Sequence, residues 1–151
     1  MLMLDEILLI HVAATWGMVG LIGIVQLVHY PLMNYVPADR FPEFEQAHRS
    51  RITYIVAPLM LIESASAVLL VSLPTPAPIT TLAWIGMVLL LGNWLSTLLL
   101  QMPCHFKLSQ KFDTATHRFL VRSNWIRSIL WFLRGLVALA MLWYSSANSS
   151  F

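Results

Sequence analysis

Four apolar stretches, each long enough to cross a lipid bilayer, constrain the fold of this chain more than any other feature. They cover residues 7–33, 52–73, 82–102 and 121–144. A transmembrane helix needs about 20 largely apolar residues, and a segment inside lipid must satisfy its own backbone hydrogen bonds, which favours helices. Charged residues make up only 11% of the chain, whereas soluble domains carry about 25%. The sequence therefore predicts a single all-α domain over residues 1–151, built as a bundle of four transmembrane helices.

The basic residues predict how this bundle is oriented. Three Arg residues lie in the connection 34–51, and four Lys and Arg residues lie in the connection 103–122. The positive-inside rule puts these two longer connections in the cytoplasm and both termini outside. We therefore expect an integral protein of the bacterial inner membrane with periplasmic termini and the lipid bilayer as its partner. The formal net charge is only +2, so the sequence does not favour binding to nucleic acid.

Two charges, Glu63 and Arg134, lie near the centres of the second and fourth apolar stretches. A charge at the middle of a membrane helix costs roughly 2.5–3.5 kcal/mol on insertion scales. We expect a buried ion pair, because arginine does not lose its proton in proteins and Glu63 is the only acidic residue within a predicted stretch. The pair is either structural or part of a site in which Arg134 or Arg127 holds an anionic or carbonyl ligand while Glu63 handles a proton. Glu63, Arg127 and Arg134 are thus candidate catalytic residues.

Helical spacing places the other polar residues of these stretches on one face of each helix. Gln26 belongs to such a stripe on the first helix, Asn93 to one on the third, and Asn124, Arg127 and Trp131 to one on the fourth. Polar side chains in a bilayer turn towards the interior of a bundle. The sequence therefore predicts a polar bundle axis, in which these five residues would contact a cofactor or substrate.

Three histidines, His29, His48 and His105, are predicted at the cytoplasmic ends of their helices and at similar depth. Three imidazoles with an open position can hold zinc, copper or iron, and two on facing helices can be axial ligands of a haem. They are candidate metal ligands, with a metal ion or haem as candidate cofactor, unless they only hydrogen-bond at headgroup depth. No Glu-x-x-His pair falls within the predicted stretches, so the ferritin-like di-iron pattern is not expected.

Three glycines, Gly17, Gly20 and Gly23, lie on the face of the first helix opposite its polar stripe. Small residues let transmembrane helices approach one another closely. This glycine face therefore packs against a neighbouring helix of the same bundle, or it binds a second copy of the chain or a larger membrane complex.

A further set of motifs runs through the chain: QLVHYP at residues 26–31, His48, PLMLIE at 58–63, PCH at 103–105, NWIR at 124–127, then Trp131 and Arg134. These motifs resemble those of a bacterial family of four-span integral membrane proteins to which no activity is assigned. In size and span number the chain is also similar to anthrone-oxygenase-like membrane proteins. The resemblance covers most of the chain, and it implies that these positions form one site without implying a reaction.

The sequence thus predicts a site in the cytoplasmic half that binds a metal ion, a haem, or a small lipophilic cofactor or substrate. An oxidoreductase-like activity is the favoured enzyme class. Two alternatives stay open. One is a non-catalytic subunit that docks on a larger membrane complex, and the other is a pathway for protons or a small solute.

Overall fold

The computed structural model describes residues 2–148, which contain helices and no strand. Four long helices follow one another: α1 (Met3–Tyr35), α2 (Phe41–Ser72), α3 (Ala77–Leu108) and α4 (Thr114–Ala147). Each is long and apolar enough to cross a membrane. The predicted all-α class with four long apolar helices is therefore confirmed.

The helices continue well beyond the apolar stretches, so the two longer connections are shorter than predicted. They shrink to residues 36–40 and 109–113. α2 begins at Phe41 rather than near residue 52, with a proline in its first turn, where the missing backbone N–H has no consequence. Phe41 and Glu45 are both fully buried. Hydropathy missed this extension because packing against the other helices, rather than contact with lipid, orders the first turns of α2.

A side-chain cap starts α4 ahead of its apolar stretch. The amide and the hydroxyl of Thr116 donate hydrogen bonds to the carboxylate of Asp113, at 2.7 and 2.6 Å. These bonds favour the ionised carboxylate and lower the pKa of Asp113, the bond from the Thr116 hydroxyl being the largest cause. The connection between α3 and α4 therefore ends at a defined residue.

The four helices form a ring. α4 packs extensively against α3 and α1, α1 packs against α2, and the contact between α2 and α3 is the least extensive of the four. α2 and α4 face each other across the bundle axis. Two glycines permit close approach: a Cβ at Gly135 of α4 would lie 3.1 Å from the indole of Trp16, and one at Gly92 of α3 would lie 3.2 Å from Leu130. The ring is therefore tightest around α4 and loosest between α2 and α3.

Two helices contain a π-helical segment before a proline. In α1 the segment is Val25–His29, followed by Pro31, and in α3 it is Thr97–Gln101, followed by Pro103. Proline lacks a backbone donor and crowds the preceding turn, and a π segment is one way in which a helix accommodates it. A π-helical turn contains more residues than an α-helical turn, so the side chains that follow it point from a different face of the helix. This change of register positions Tyr30 of α1.

The outer surface is apolar. Large side chains such as Leu27, Val88 and Leu99 are each about two-thirds exposed, at 66%, 67% and 67%. A soluble monomer does not expose so much continuous apolar surface, so this exterior suits contact with lipid.

Candidate functional site

The buried charges of α2 and α4 meet at the centre of the bundle. Arg134 Nε donates to Glu63 Oε1 at 2.9 Å, and the indole Nε1 of Trp131 donates to Glu63 Oε2 at 3.0 Å. A second nitrogen of Arg134, Nη1, donates to the carbonyl of Gly86 on α3. Glu63 is 0% and Arg134 is 1% exposed. The predicted ion pair is therefore confirmed, and both oxygens of its carboxylate are occupied.

A second polar network lies between the Glu63–Arg134 pair and the end of the bundle at which residues 36–40 connect α1 to α2. Asn124 Nδ2 donates to Gln26 Oε1 at 2.8 Å, which joins α4 to α1. Arg127 Nη1 donates to Asn124 Oδ1 at 3.2 Å, and its guanidinium lies over the ring of Trp131, 5.0 Å from the centroid. Gln26, Asn124 and Trp131 thus hold Arg127 in place, so four of the predicted cofactor contacts form one connected network.

The remaining predicted contact, Asn93, stands apart. It is fully buried on α3, and neither atom of its side-chain amide has a hydrogen-bond partner among the described residues. The hydroxyl of Thr15 and Nη2 of Arg134 are likewise buried and unpartnered within that part of the chain. Buried polar groups normally have a partner, often an ordered water. The polar axis therefore has hydrogen-bonding capacity that the protein itself does not use.

A cavity of about 300 Å³ lies between α2 and α3, and side chains of all four helices line it. Its walls are mainly apolar. The apolar lining includes Met18, Leu21, Ile22, Val25, Ile52 and Val56, and the polar lining includes Tyr30, His48, Arg49, Gln101, His105 and Arg127. Of the residues predicted as sites, the cavity thus gathers His48, His105 and Arg127.

The cavity opens sideways between α2 and α3. Trp94 Nε1 of α3 donates to Ser64 Oγ of α2 at 3.1 Å on the side nearer the Glu63–Arg134 pair. On the other side, Arg49 Nη1 of α2 donates to the hydroxyl of Ser109 at 3.0 Å. Between these two connections the lining includes Met102, which is 53% exposed on the outer surface. The gap therefore faces the apolar outer surface of the bundle.

Two lining residues, Tyr30 and His105, belong to a hydrogen-bonded chain of side chains from three helices. Glu45 Oε1 of α2 lies 2.5 Å from His105 Nδ1 of α3, and the hydroxyl of Tyr30 of α1 lies 3.1 Å from His105 Nε2. When Glu45 is ionised, Nδ1 carries the imidazole proton and Nε2 accepts a hydrogen bond from Tyr30. A carboxylate–histidine pair that faces a phenol can take up and return a proton.

The three predicted metal ligands come together, but the rings of His29 and His48 stack and that of His105 is tilted against His48. The ring centroids of His29 and His48 are 4.2 Å apart, and those of His48 and His105 are 5.7 Å apart. Both ring nitrogens of His105 already have protein partners. Within residues 2–148, no group of three or more His, Cys, Asp or Glu residues is arranged to hold a metal ion. Metal or haem binding stays a prediction, and it requires His105 to exchange its partners.

Sequence reasoning missed Glu45 and Tyr30. The predicted stretches contain no Glu-x-x-His pair, but α2 begins at Phe41, ahead of its predicted stretch. This extension contains Glu45 and His48, three residues apart on one face. That pattern was the available signal for Glu45. Tyr30 follows the π-helical segment Val25–His29, and no periodicity in the sequence predicts the face to which it turns.

The glycine face of α1 is only partly covered. A Cβ at Gly17 would lie 3.5 Å from Leu59 of α2, whereas among the described residues nothing lies within 4 Å of the same position at Gly20 or Gly23. One end of this face thus packs within the bundle, and the other end is uncovered.

The chain matches no protein-family model, no curated protein and no solved structure.

Proposed function

We propose that the protein binds a small lipophilic molecule in the cavity between α2 and α3 and exchanges a proton with the polar end of that molecule. The observation that supports this most is that Tyr30 and His105 line a mainly apolar cavity, with Glu45 bonded to His105 behind them. Ligand pockets typically combine apolar walls with a few convergent polar groups. The gap between α2 and α3 gives such a molecule a direct route from the bilayer.

Each member of the chain has a distinct role in this proposal. Tyr30 lines the cavity and touches the polar end of the ligand, and its phenol oxygen accepts the ligand's proton as it gives up its own. His105 Nε2 takes the proton of the phenol, and the Glu45 carboxylate stabilises the imidazolium that forms. An oxidoreductase-like activity would use the same chain to supply protons to a redox-active lipophilic ligand.

Filling the cavity tests this function. Ile52→Trp places an indole in the lining, and Val88→Trp, on the exposed outer face of α3, is the matched control. Tritiated oleyl alcohol and tritiated oleic acid are the probes, with the protein in neutral detergent micelles. We expect saturable binding of at least one probe to the wild type and to Val88→Trp, and a loss of tenfold or more in Ile52→Trp. Binding that does not saturate, or that Ile52→Trp leaves unchanged, contradicts the proposal.

We also propose that the cavity lies in the cytoplasmic half of a bacterial inner membrane, with both termini in the periplasm. The support is the basic residues near the connections 36–40 and 109–113, among them Arg40, Lys107 and Lys111. A reporter enzyme that is active only in the periplasm, fused to the C-terminus, tests the orientation. We expect activity, and a reporter active only in the cytoplasm at that position would reverse the orientation.

A bound metal ion is the second candidate. It is favoured by Glu45 Oε2 and His29 Nε2, which are buried without a hydrogen-bond partner among the described residues and lie beside His48. Metal analysis of the purified protein tests it, with His29→Ala and His48→Ala compared with His11→Ala, whose imidazole bonds to a serine instead. We expect a metal site to be lost in the first two variants and kept in the third. A metal-free wild type removes this candidate.

We propose that a partner protein binds the uncovered part of the glycine face. Gly20 and Gly23 leave room for a close helix–helix contact with a second copy or with a subunit of a larger complex. In that arrangement the cavity stays free, because it opens between α2 and α3.

A further inference from the structure

The ligand's chemistry is indicated by Arg127, a buried cation without a counter-charge. Arg127 is 6% exposed, and the ion pairs of residues 2–148 are Glu63–Arg134 and Glu45–His105. Its direct protein partners in that part of the chain are the amide oxygen of Asn124 and the face of Trp131. A buried charge without an opposite charge is strongly unfavourable, and arginine cannot escape by losing its proton.

Arg134 shows that this chain can provide a carboxylate for a buried arginine. It lies seven residues after Arg127 on the same helix, and Glu63 of α2 pairs with it. Nothing equivalent faces Arg127 from α2, although that helix also lines the cavity beside it. The other buried carboxylate of α2, Glu45, pairs with His105 instead. The pairing of both buried carboxylates elsewhere indicates that something other than the protein supplies the anion for Arg127.

The free part of the Arg127 guanidinium has the geometry of a carboxylate receptor. Nη1 bonds to Asn124, Nε is buried without a partner, and Nη2 has no hydrogen bond to any described residue. Nε and Nη2 form one edge of the planar group, with two parallel N–H donors. That edge matches the two oxygens of a single carboxylate. Asn124 and Trp131 fix the plane of the guanidinium, so the edge is oriented before a ligand binds.

The same cavity that Arg127 lines also suits an acyl chain. Its lining is mainly apolar, its volume is about 300 Å³, and its opening faces the outer surface between α2 and α3. A head group on Arg127 would leave the first part of an acyl chain against Met18, Ile22 and Val56, with the rest passing into the bilayer. A cavity of about 300 Å³ has room for one carboxylate and the first part of one acyl chain.

From these observations we infer that the ligand is a long-chain carboxylic acid, held by its carboxylate on the Nε and Nη2 edge of Arg127. This inference rests on the proposed function, because it assigns the ligand of the same cavity. Tyr30 and Arg127 both line this cavity, so the proton chain and the carboxylate receptor reach the same ligand. The proton chain takes up the carboxyl proton as the neutral acid enters the cavity, and the carboxylate that remains is held by Arg127.

The test compares a charged and a neutral amphiphile of the same chain length. The full-length protein in neutral maltoside micelles is titrated with tritiated oleic acid or tritiated oleyl alcohol at about pH 9, where the carboxyl group is ionised. The variants are Arg127→Met, Arg127→Lys and, as a matched control, Arg122→Met, which removes an exposed arginine from the same helix. Dodecanoic acid and dodecyl phosphate compete with oleic acid, to separate a carboxylate from a phosphate head group.

We expect the wild type and Arg122→Met to bind oleate in preference to oleyl alcohol. Arg127→Met should bind oleate at least roughly 30-fold more weakly, because a buried charge-assisted contact is lost. The same variant should keep its affinity for oleyl alcohol, which shows that the cavity is intact. Arg127→Lys should bind oleate with an intermediate loss, since lysine keeps the charge but not the two-donor edge.

Three results overturn the inference, and they differ from failure of the proposed function. Equal binding of oleate and oleyl alcohol by the wild type would show that the cavity binds lipophilic molecules without reading an anion. Competition by dodecyl phosphate that exceeds that of dodecanoic acid would assign a phosphate instead. Equal loss of oleate binding in Arg127→Met and Arg122→Met would show only a surface charge effect. If neither probe binds the wild type, the proposed function itself fails.

Discussion

The centre of the bundle and the cavity between α2 and α3 differ in whether a buried arginine has a carboxylate partner. At the centre, Glu63 receives a donor on each carboxylate oxygen, and Arg134 bonds both to Glu63 and to a carbonyl of α3. At the cavity, Arg127 lacks a carboxylate, and Glu45 leaves Oε2 unpartnered within the described residues. A charge that the chain neutralises is best explained by structure, and a charge that it leaves unpaired is best explained by a ligand.

This difference also separates stability from function. Removing one partner of a satisfied ion pair leaves the other buried and alone, which is costly. Removing an arginine that has no counter-charge removes the free-energy cost of burying that charge, as long as no ligand is bound. The two arginines, on the same helix and both nearly fully buried, therefore offer a controlled comparison.

The largest expected effect is on the stability of the central pair. Glu63→Gln and Arg134→Met should each destabilise the protein by about 3–5 kcal/mol, because each leaves an uncompensated buried group. The double variant should recover much of the loss. Unfolding in mixed detergent micelles, followed by circular dichroism, gives the double-mutant cycle. Strictly additive losses would show that the two residues do not interact.

Arg127→Met sharpens the comparison with Arg134→Met. Without added ligand it should unfold at the same temperature as the wild type or at a higher one, because an unpaired buried charge is removed. With excess oleic acid the wild type should become more stable and Arg127→Met should not. Thermal melts of both variants, side by side with and without oleic acid, are the measurement. A loss of stability in Arg127→Met as large as that in Arg134→Met would mean that both arginines are structural.

A smaller effect is expected at the proton chain. Tyr30→Phe removes the phenol that bonds to His105 Nε2, and Glu45→Gln removes the anion beside Nδ1. Each should cost about 1–3 kcal/mol of unfolding free energy, the range for loss of one buried hydrogen-bond partner. Nitrogen NMR of labelled histidine reports the tautomer of His105, which should be Nδ1-protonated in the wild type and altered in Glu45→Gln. A tautomer that is unchanged in Glu45→Gln would break the proposed chain.

The smallest effects are expected at the glycines, and they differ between Gly135, which packs against a helix of the bundle, and Gly20, which lies on the uncovered part of the glycine face. Gly135→Ala should destabilise the bundle, because its Cβ would lie 3.1 Å from the ring of Trp16. Gly20→Ala meets nothing within 4 Å among the described residues, and it should stabilise α1 by up to about 1 kcal/mol through helix propensity. Melting of both variants and light scattering of Gly20→Ala are the measurements. A shift of Gly20→Ala to a smaller assembly would support a partner on the glycine face, and an unchanged mass would argue against it.

The sequence predicted the centre of the bundle better than the cavity, for a physical reason. Glu63 and Arg134 lie within long apolar runs, where a charge is costly enough to require a partner, so their pairing follows from composition and spacing. Glu45 lies outside those runs, in a part of α2 whose buried side chains pack against the other helices. Tyr30 turns to the cavity after a π-helical segment, and such segments shift the helical register on which predictions of faces depend.

The predicted cofactor contacts show the same limit. Helical spacing correctly grouped Gln26, Asn124, Arg127 and Trp131, which form one network. Spacing did not distinguish the residues that only contact one another within the network from the residue that also lines the cavity. The position of the cavity depends on the separation of α2 and α3, which the spacing of residues along one helix does not predict. Only Arg127 of this group faces the cavity.

The most direct test of the central claim is a crystal structure of the protein with a brominated long-chain carboxylic acid, in which bromine marks the acyl chain by anomalous scattering. We predict a bromine peak in the gap between α2 and α3, with the carboxylate oxygens within hydrogen-bond distance of Arg127 Nε and Nη2. The claim would be contradicted if, at saturating acid, bromine peaks appear only on the outer surface and the Nε and Nη2 edge of Arg127 binds a protein carboxylate or nothing.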